Sequence, residues 1–94
     1  MAKETNILIG LDGYKRAKQV EESLNLLFQS IFNKKEGKAI LNYLRSITIE
    51  SVAGSDITDQ ALRHLEGQRY LVGLIQRRVN KGLSQKIVKE NQDG

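Results

Sequence analysis

The sequence predicts an all-α fold: a small three-helix domain with a long central third helix, an extended N-terminal arm and a short C-terminal helix or tail. Three observations carry this expectation. Apolar residues recur at steps of three and four through most of the chain, the signature of helices with one buried stripe. The 94 residues contain no proline to interrupt a helix and no cysteine to staple a loop. Breaks fall at Asn33, at Ala53-Gly54-Ser55 and at Gly82, which leaves three helical stretches. At this length the chain is expected to form a single domain, with an arm over 1–12, a helical core over 13–82 and a tail over 83–94.

The arm has no helical start signal. Ile7, Ile9 and Leu11 alternate with Leu8 and Gly10, an extended pattern, and Asp12-Gly13 marks a turn. From Tyr14 the spacing becomes helical: Tyr14, Ala17, Val20, Leu24, Leu27, Phe28, Ile31 and Phe32 form the stripe expected to be buried. Lys15, Lys18, Gln19, Glu22 and Gln29 form the solvated face. Asn33 and Glu36 fit the two ends of a capping box for a second helix over about 34–46, with Ile40, Leu41, Leu44 and Ile47 on its core side. Gly37 in its first turn costs helix stability, so its presence points to close approach of another backbone. Residues 48–54 lack helical periodicity and read as loop, after which Ser55 or Thr58 can cap the third helix. That helix is expected over 56–81 and to stop at Gly82, with Ser84 capping a short last helix around Ile87 and Val88. Ala61, Leu65, Gln68, Val72, Ile75 and Val79 make one sustained face, widened by Leu71 and Leu74. The arc is wide for a surface helix, so the helix should be central and either contact both other helices or also bury a side against another chain.

Composition removes several classes of chemistry. Without cysteine there is no disulfide framework, thiolate zinc site or cysteine nucleophile. The one histidine, His64, has no acidic partner at helical spacing and reads as a core residue rather than a ligand. Glu21 and Glu22 are adjacent and diverge on a helix, so they cannot share a substrate. Gly10 and Gly13 do not make a phosphate loop. No catalytic residue, cofactor or metal site is expected, and the chain reads as a non-enzyme. Its apolar runs are too short for a signal-peptide core or a membrane span, which predicts a soluble protein with no membrane partner.

The net charge is +4, and the last third of the chain supplies the whole excess. Arg63, Tyr70, Arg77 and Lys81 share one side of the third helix, with Arg78 near its end and Arg69 close by. Such a set can neutralise phosphates and stack a base, so nucleic acid is the alternative partner, contacted by Arg63, Arg69, Arg77, Arg78 and Lys81. The leading surfaces for protein contact are Ile7, Ile9 and Leu11 on the arm, and Leu71 and Leu74 on the flank of the third helix.

Two segments together resemble a known family. The first runs from Leu27-Phe28 through Phe32 to Glu36-Gly37-Lys38, with Leu41 and Leu44 following. The second is Glu66-Gly67-Gln68-Arg69 opening the apolar part of a long helix. This order resembles the Bbp-nineteen-like phage domain, a family of very small tailed-phage proteins, over roughly residues 24–80. Carried over residue by residue, its motif falls on Phe28, Phe32, Glu36, Gly37, Leu41, Leu44, Glu66, Gly67 and Arg69. The resemblance implies a small phage structural or virion-assembly protein without a catalytic residue, placed in the virion or the host cytoplasm. Its expected partners are other virion proteins and further copies of itself. The positions themselves read as packing, with Gly37 and Gly67 at close helix crossings and Glu66 holding Arg69.

Overall fold

A computed structural model describes the backbone of residues 6–93 and the side chains of residues 6–90. Where an extended arm was expected, the described residues begin with a hairpin. Strand β1 (Ile7–Ile9) pairs antiparallel with β2 (Lys15–Ala17), in the register Ile7 to Ala17, Leu8 to Arg16 and Ile9 to Lys15. The fold is therefore mostly helical with a small two-stranded sheet, and not purely α. The first five residues of the expected arm lie outside the described residues. Asp12-Gly13 does make the turn. Gly13 sits at φ 89°, a conformation that glycine adopts without the steric cost of a side chain. The Asp12 side chain accepts from the Tyr14 amide at 3.0 Å, and the Gly10 amide donates to the Tyr14 carbonyl at 2.8 Å. That turn folds 15–17 back onto 7–9, so residues expected to start the first helix are strand.

Helix α1 (Lys18–Phe32) follows directly, and α2 (Lys35–Ser46) comes after a two-residue corner. Asn33 is not the cap of α2. It closes α1, donating its amide to the Gln29 carbonyl, while Lys34 precedes α2 without a side-chain cap. The corner is tight because Gly37 is buried there. A Cβ at Gly37 would collide with the Ile31 carbonyl and lie 2.7 Å from the Phe32 Cα. The expected close approach is present.

After an irregular stretch over 47–58, Thr58 caps α3 (Asp59–Asp93), its hydroxyl accepting from the Ala61 amide at 3.1 Å. The helix is unbroken through Gly67, Gly73 and Gly82, and the separate last helix expected after Gly82 is its continuation. Its 35 residues rise about 52 Å, which accounts for the 55 Å long dimension of the molecule. The strongest packing is of α1 on α3, with α2 and the hairpin filling in beside α1. Among the described residues, no helix is long and apolar enough to cross a membrane.

The apolar interior is small. Leu41 and Val72 are the buried large hydrophobic side chains among the described residues. The radius of gyration is 16.7 Å, against about 12 Å for a compact domain of this length.

Candidate interaction surface

Helix α1 is built the opposite way to the sequence expectation. Its buried residues are Glu21, Asn25 and Gln29, which step by four along one face. Val20, Leu27 and Ile31, expected in the core, are more than half exposed, and Leu24, Phe28 and Phe32 are partly covered. At 100° per residue, the apolar stripe is centred about 100° around the helix from the buried polar one.

What draws the polar face inward is Arg78 on α3, whose side chain is 3% exposed. Its guanidinium donates to Glu21 Oε2 at 2.9 Å and to Asn25 Oδ1 at 2.7 Å, and it stands 6.0 Å from the centre of the Phe28 ring. The Asn25 amide donates to Gln85 at 2.9 Å, and Gln85 donates to the Glu22 carbonyl at 3.0 Å. Gly82 lies between these contacts. A Cβ there would collide with the Asn25 carbonyl oxygen and come 2.7 Å from the Gln29 Cβ. The helices cross with backbone nearly touching, which only glycine permits, so Gly82 stays inside the helix instead of ending it.

The hairpin is fastened to the same joint. Arg16 reaches from β2 to Asp12 at 2.8 Å and to Glu21 at 2.6 Å, while the Leu11 amide donates to Glu21 at 3.0 Å. Gly10 leaves room for the Arg16 guanidinium. Hydrogen bonding to Arg16 holds the Asp12 carboxyl well below the usual carboxylate range, and in turn Asp12 raises the Arg16 guanidinium. Burial pushes the Glu21 carboxyl up, but the Leu11 amide, Arg16 and Arg78 outweigh it, and its net shift is downward. Glu21 is thus held ionised between two arginines. Among the described residues no buried side-chain nitrogen or oxygen lacks a partner.

Arg69 makes a second, smaller fastening. It donates to the Thr48 carbonyl at 2.9 Å and the Ser51 carbonyl at 2.8 Å, and pairs with Glu66 at 2.8 Å. The expected Glu66–Arg69 contact is present, and it ties the 47–58 stretch to α3. Gly67 meets nothing within 4 Å of an added Cβ, so it marks no helix crossing.

The residues expected to contact nucleic acid separate into two groups. Arg78 is buried in the joint and Arg69 is engaged with loop carbonyls, so neither is available to phosphate. Arg63, Arg77 and Lys81 are exposed. His64 is exposed beside Gln68, 3.3 Å away, and is not a core residue. Among the described residues, no three His, Cys, Asp or Glu side chains gather as a metal site would require.

The residues expected to make protein contacts reach the surface. Ile7 and Ile9 are more than half exposed and Leu11 partly so; Leu71 is 57% exposed and Leu74 partly covered. Of the family-motif positions, Gly37 and Leu41 are buried, Phe28, Phe32, Leu44 and Arg69 are half-buried, and Glu36, Glu66 and Gly67 are exposed. A second apolar feature escapes sequence reasoning. Leu24, Leu27, Phe28, Ile31 and Phe32 line an open groove of about 250 Å³ on the outer side of α1. The signal was nevertheless in the chain: the four-step polar set Glu21, Asn25, Gln29 is as regular as the apolar stripe and has Arg78 and Gln85 to answer it.

No curated protein and no solved structure matches the chain. The family model described as Bbp19-like phage protein matches residues 28–89, about two thirds of the sequence. That span takes in the α1–α2 corner, the Arg69 fastening, Arg78 and Gly82, and leaves the hairpin outside. With the matched stretch covering well over half of it, the chain belongs to the Bbp19-like phage protein family.

Proposed function

We propose that this small phage protein is a non-enzymatic component of the virion or of its assembly, working by contact with other phage proteins and in more than one copy. The observation that carries the reading is the amount of large apolar side chain left on the outside: Leu27 and Ile31 on α1, Ile40 and Tyr43 on α2, Leu71 on α3, and Ile7 and Ile9 on the hairpin. The α1 residues adjoin Leu24, Phe28 and Phe32 in one groove, and contiguous exposed apolar surface marks interaction sites. The virion or the host cytoplasm is where such partners are met. Mass spectrometry of purified virions, together with the mass of the isolated chain in solution, tests it. A chain that is monomeric at every concentration and absent from virions overturns it.

The nucleic-acid alternative loses two of its five arginine and lysine contacts to internal bonding, which leaves Arg63, Arg77 and Lys81. A mobility-shift titration at low salt decides it, since phosphate contacts weaken steeply as salt rises.

A further inference from the structure

We infer that the outer face of α1 is the seam of a two-fold homodimer, in which Leu24, Leu27, Phe28 and Ile31 of one chain pack on the same residues of a second copy. The inference deepens the protein-contact reading and rests on it: it names both the surface and the occupant.

The first argument is area. The chain exposes 7166 Å², whereas a compact monomer of its 10.6 kDa exposes roughly 5,500 Å². The excess per chain is about twice the roughly 800 Å² that each partner gives up in a standard two-protein interface of about 1,200–2,000 Å² in total. The second is the interior. With Leu41 and Val72 as its buried large hydrophobics and a charged joint between α1 and α3, the chain withholds from its own core the apolar groups that ordinarily stabilise a domain this small. A partner present wherever the chain is made supplies that burial, and a second copy meets the condition.

The third argument is charge. Each copy carries +4, so two copies repel over most of their surfaces. A two-fold contact puts each patch against itself, so a charge close to the axis would face its like. The α1 stripe holds none: its lining is Leu24, Leu27, Phe28, Ile31 and Phe32. The nearest charged residues of that helix are turned away, Glu21 into the joint and Lys18 and Glu22 around the helix.

The test uses the full chain. Sedimentation equilibrium should give twice the single-chain mass, or an even multiple of it. Leu27→Glu should halve that mass, and Val52→Glu in the exposed stretch before α3 should leave it unchanged. Because the natural chain has no cysteine, Leu27→Cys and Ile31→Cys each introduce one thiol. A short thiol cross-linker should convert either variant to a covalent dimer, while Ile9→Cys and Arg77→Cys remain single chains. The cysteine variants decide the matter if Leu27→Glu does not fold. A wild-type chain of single mass at every concentration overturns the seam, as does a dimer that cross-links through Ile9→Cys and not through α1. A monomer found in virions overturns the seam and leaves the protein-contact reading standing. A dimer cross-linked through α1 but absent from virions supports the seam and removes the virion reading.

Discussion

The two halves of α3 are held by different chemistry. Toward its C-terminus, Arg78, Gly82 and Gln85 receive α1 and the hairpin through a buried ion pair, amide hydrogen bonds and backbone contact. Toward its N-terminus, residues 59–64 are all exposed, and the first firm attachment is Arg69 bonding to carbonyls of the 47–58 stretch. Between the two stands Val72, the one buried large apolar side chain of this helix among the described residues. The difference teaches that the helix is positioned by what it can hydrogen-bond, and that its apolar groups are largely left for other uses. Local stability should follow the attachments, high around 78–85 and low before 69.

The sharpest way to break this contrast is Arg78→Met. It takes one of two arginines from Glu21, which keeps Arg16 and the Leu11 amide, and leaves the Asn25 side-chain oxygen without a donor, and should cost about 2–3 kcal/mol in urea unfolding. A loss near zero would mean that the joint does not hold the helix. Acid reaches the same joint without mutation. The Asp12 and Glu21 carboxyls titrate lower in the folded chain than in the unfolded one, so on acidification the unfolded chain takes up protons first. Stability should be undiminished above about pH 5 and fall as the pH drops below the ordinary carboxylate range near 4; in Arg78→Met the fall should be shallower. Circular dichroism across that pH range follows both. Gly82→Ala comes next. The helix gains propensity, but the new Cβ strikes the Asn25 carbonyl, and a net loss of about 1–3 kcal/mol is expected. Gly67→Ala makes the same change in the other half, where nothing stands within 4 Å, and should raise stability by about 0.5–1 kcal/mol. Thermal unfolding of the pair in parallel shows whether the two glycines differ in sign.

The presence and order of three helices, the close approach at Gly37, a cap at Thr58 and the Glu66–Arg69 pair are legible in the sequence, because each depends on residues close together in the chain. The hairpin was not. Lys15, Arg16 and Ala17 favour helix locally, and what makes them strand is the pairing with 7–9 and the pull of Asp12 and Glu21 on Arg16. The orientation of α1 was hidden for a related reason. Periodicity finds two stripes on a helix but does not say which one meets a neighbour. Here Arg78, 57 residues beyond Glu21, decides it. Gly82 was read as a stop signal because helix propensity is a local quantity, and the approach of α1 is not. The contact residues proposed on the arm and on α3 reach the surface, while the broad α1 groove was mistaken for core.

The charged joint has a consequence for how this protein can change. Greasy side chains slide over one another with little penalty, whereas a guanidinium lodged between a carboxylate and an amide fits at a single register. By fixing the crossing with Arg78, Glu21 and Asn25, the chain frees its leucines and isoleucines from maintaining the fold. Substitutions among Leu27, Ile31, Ile40 and Leu71 can then retune what the molecule adheres to, while its own architecture stays as it is.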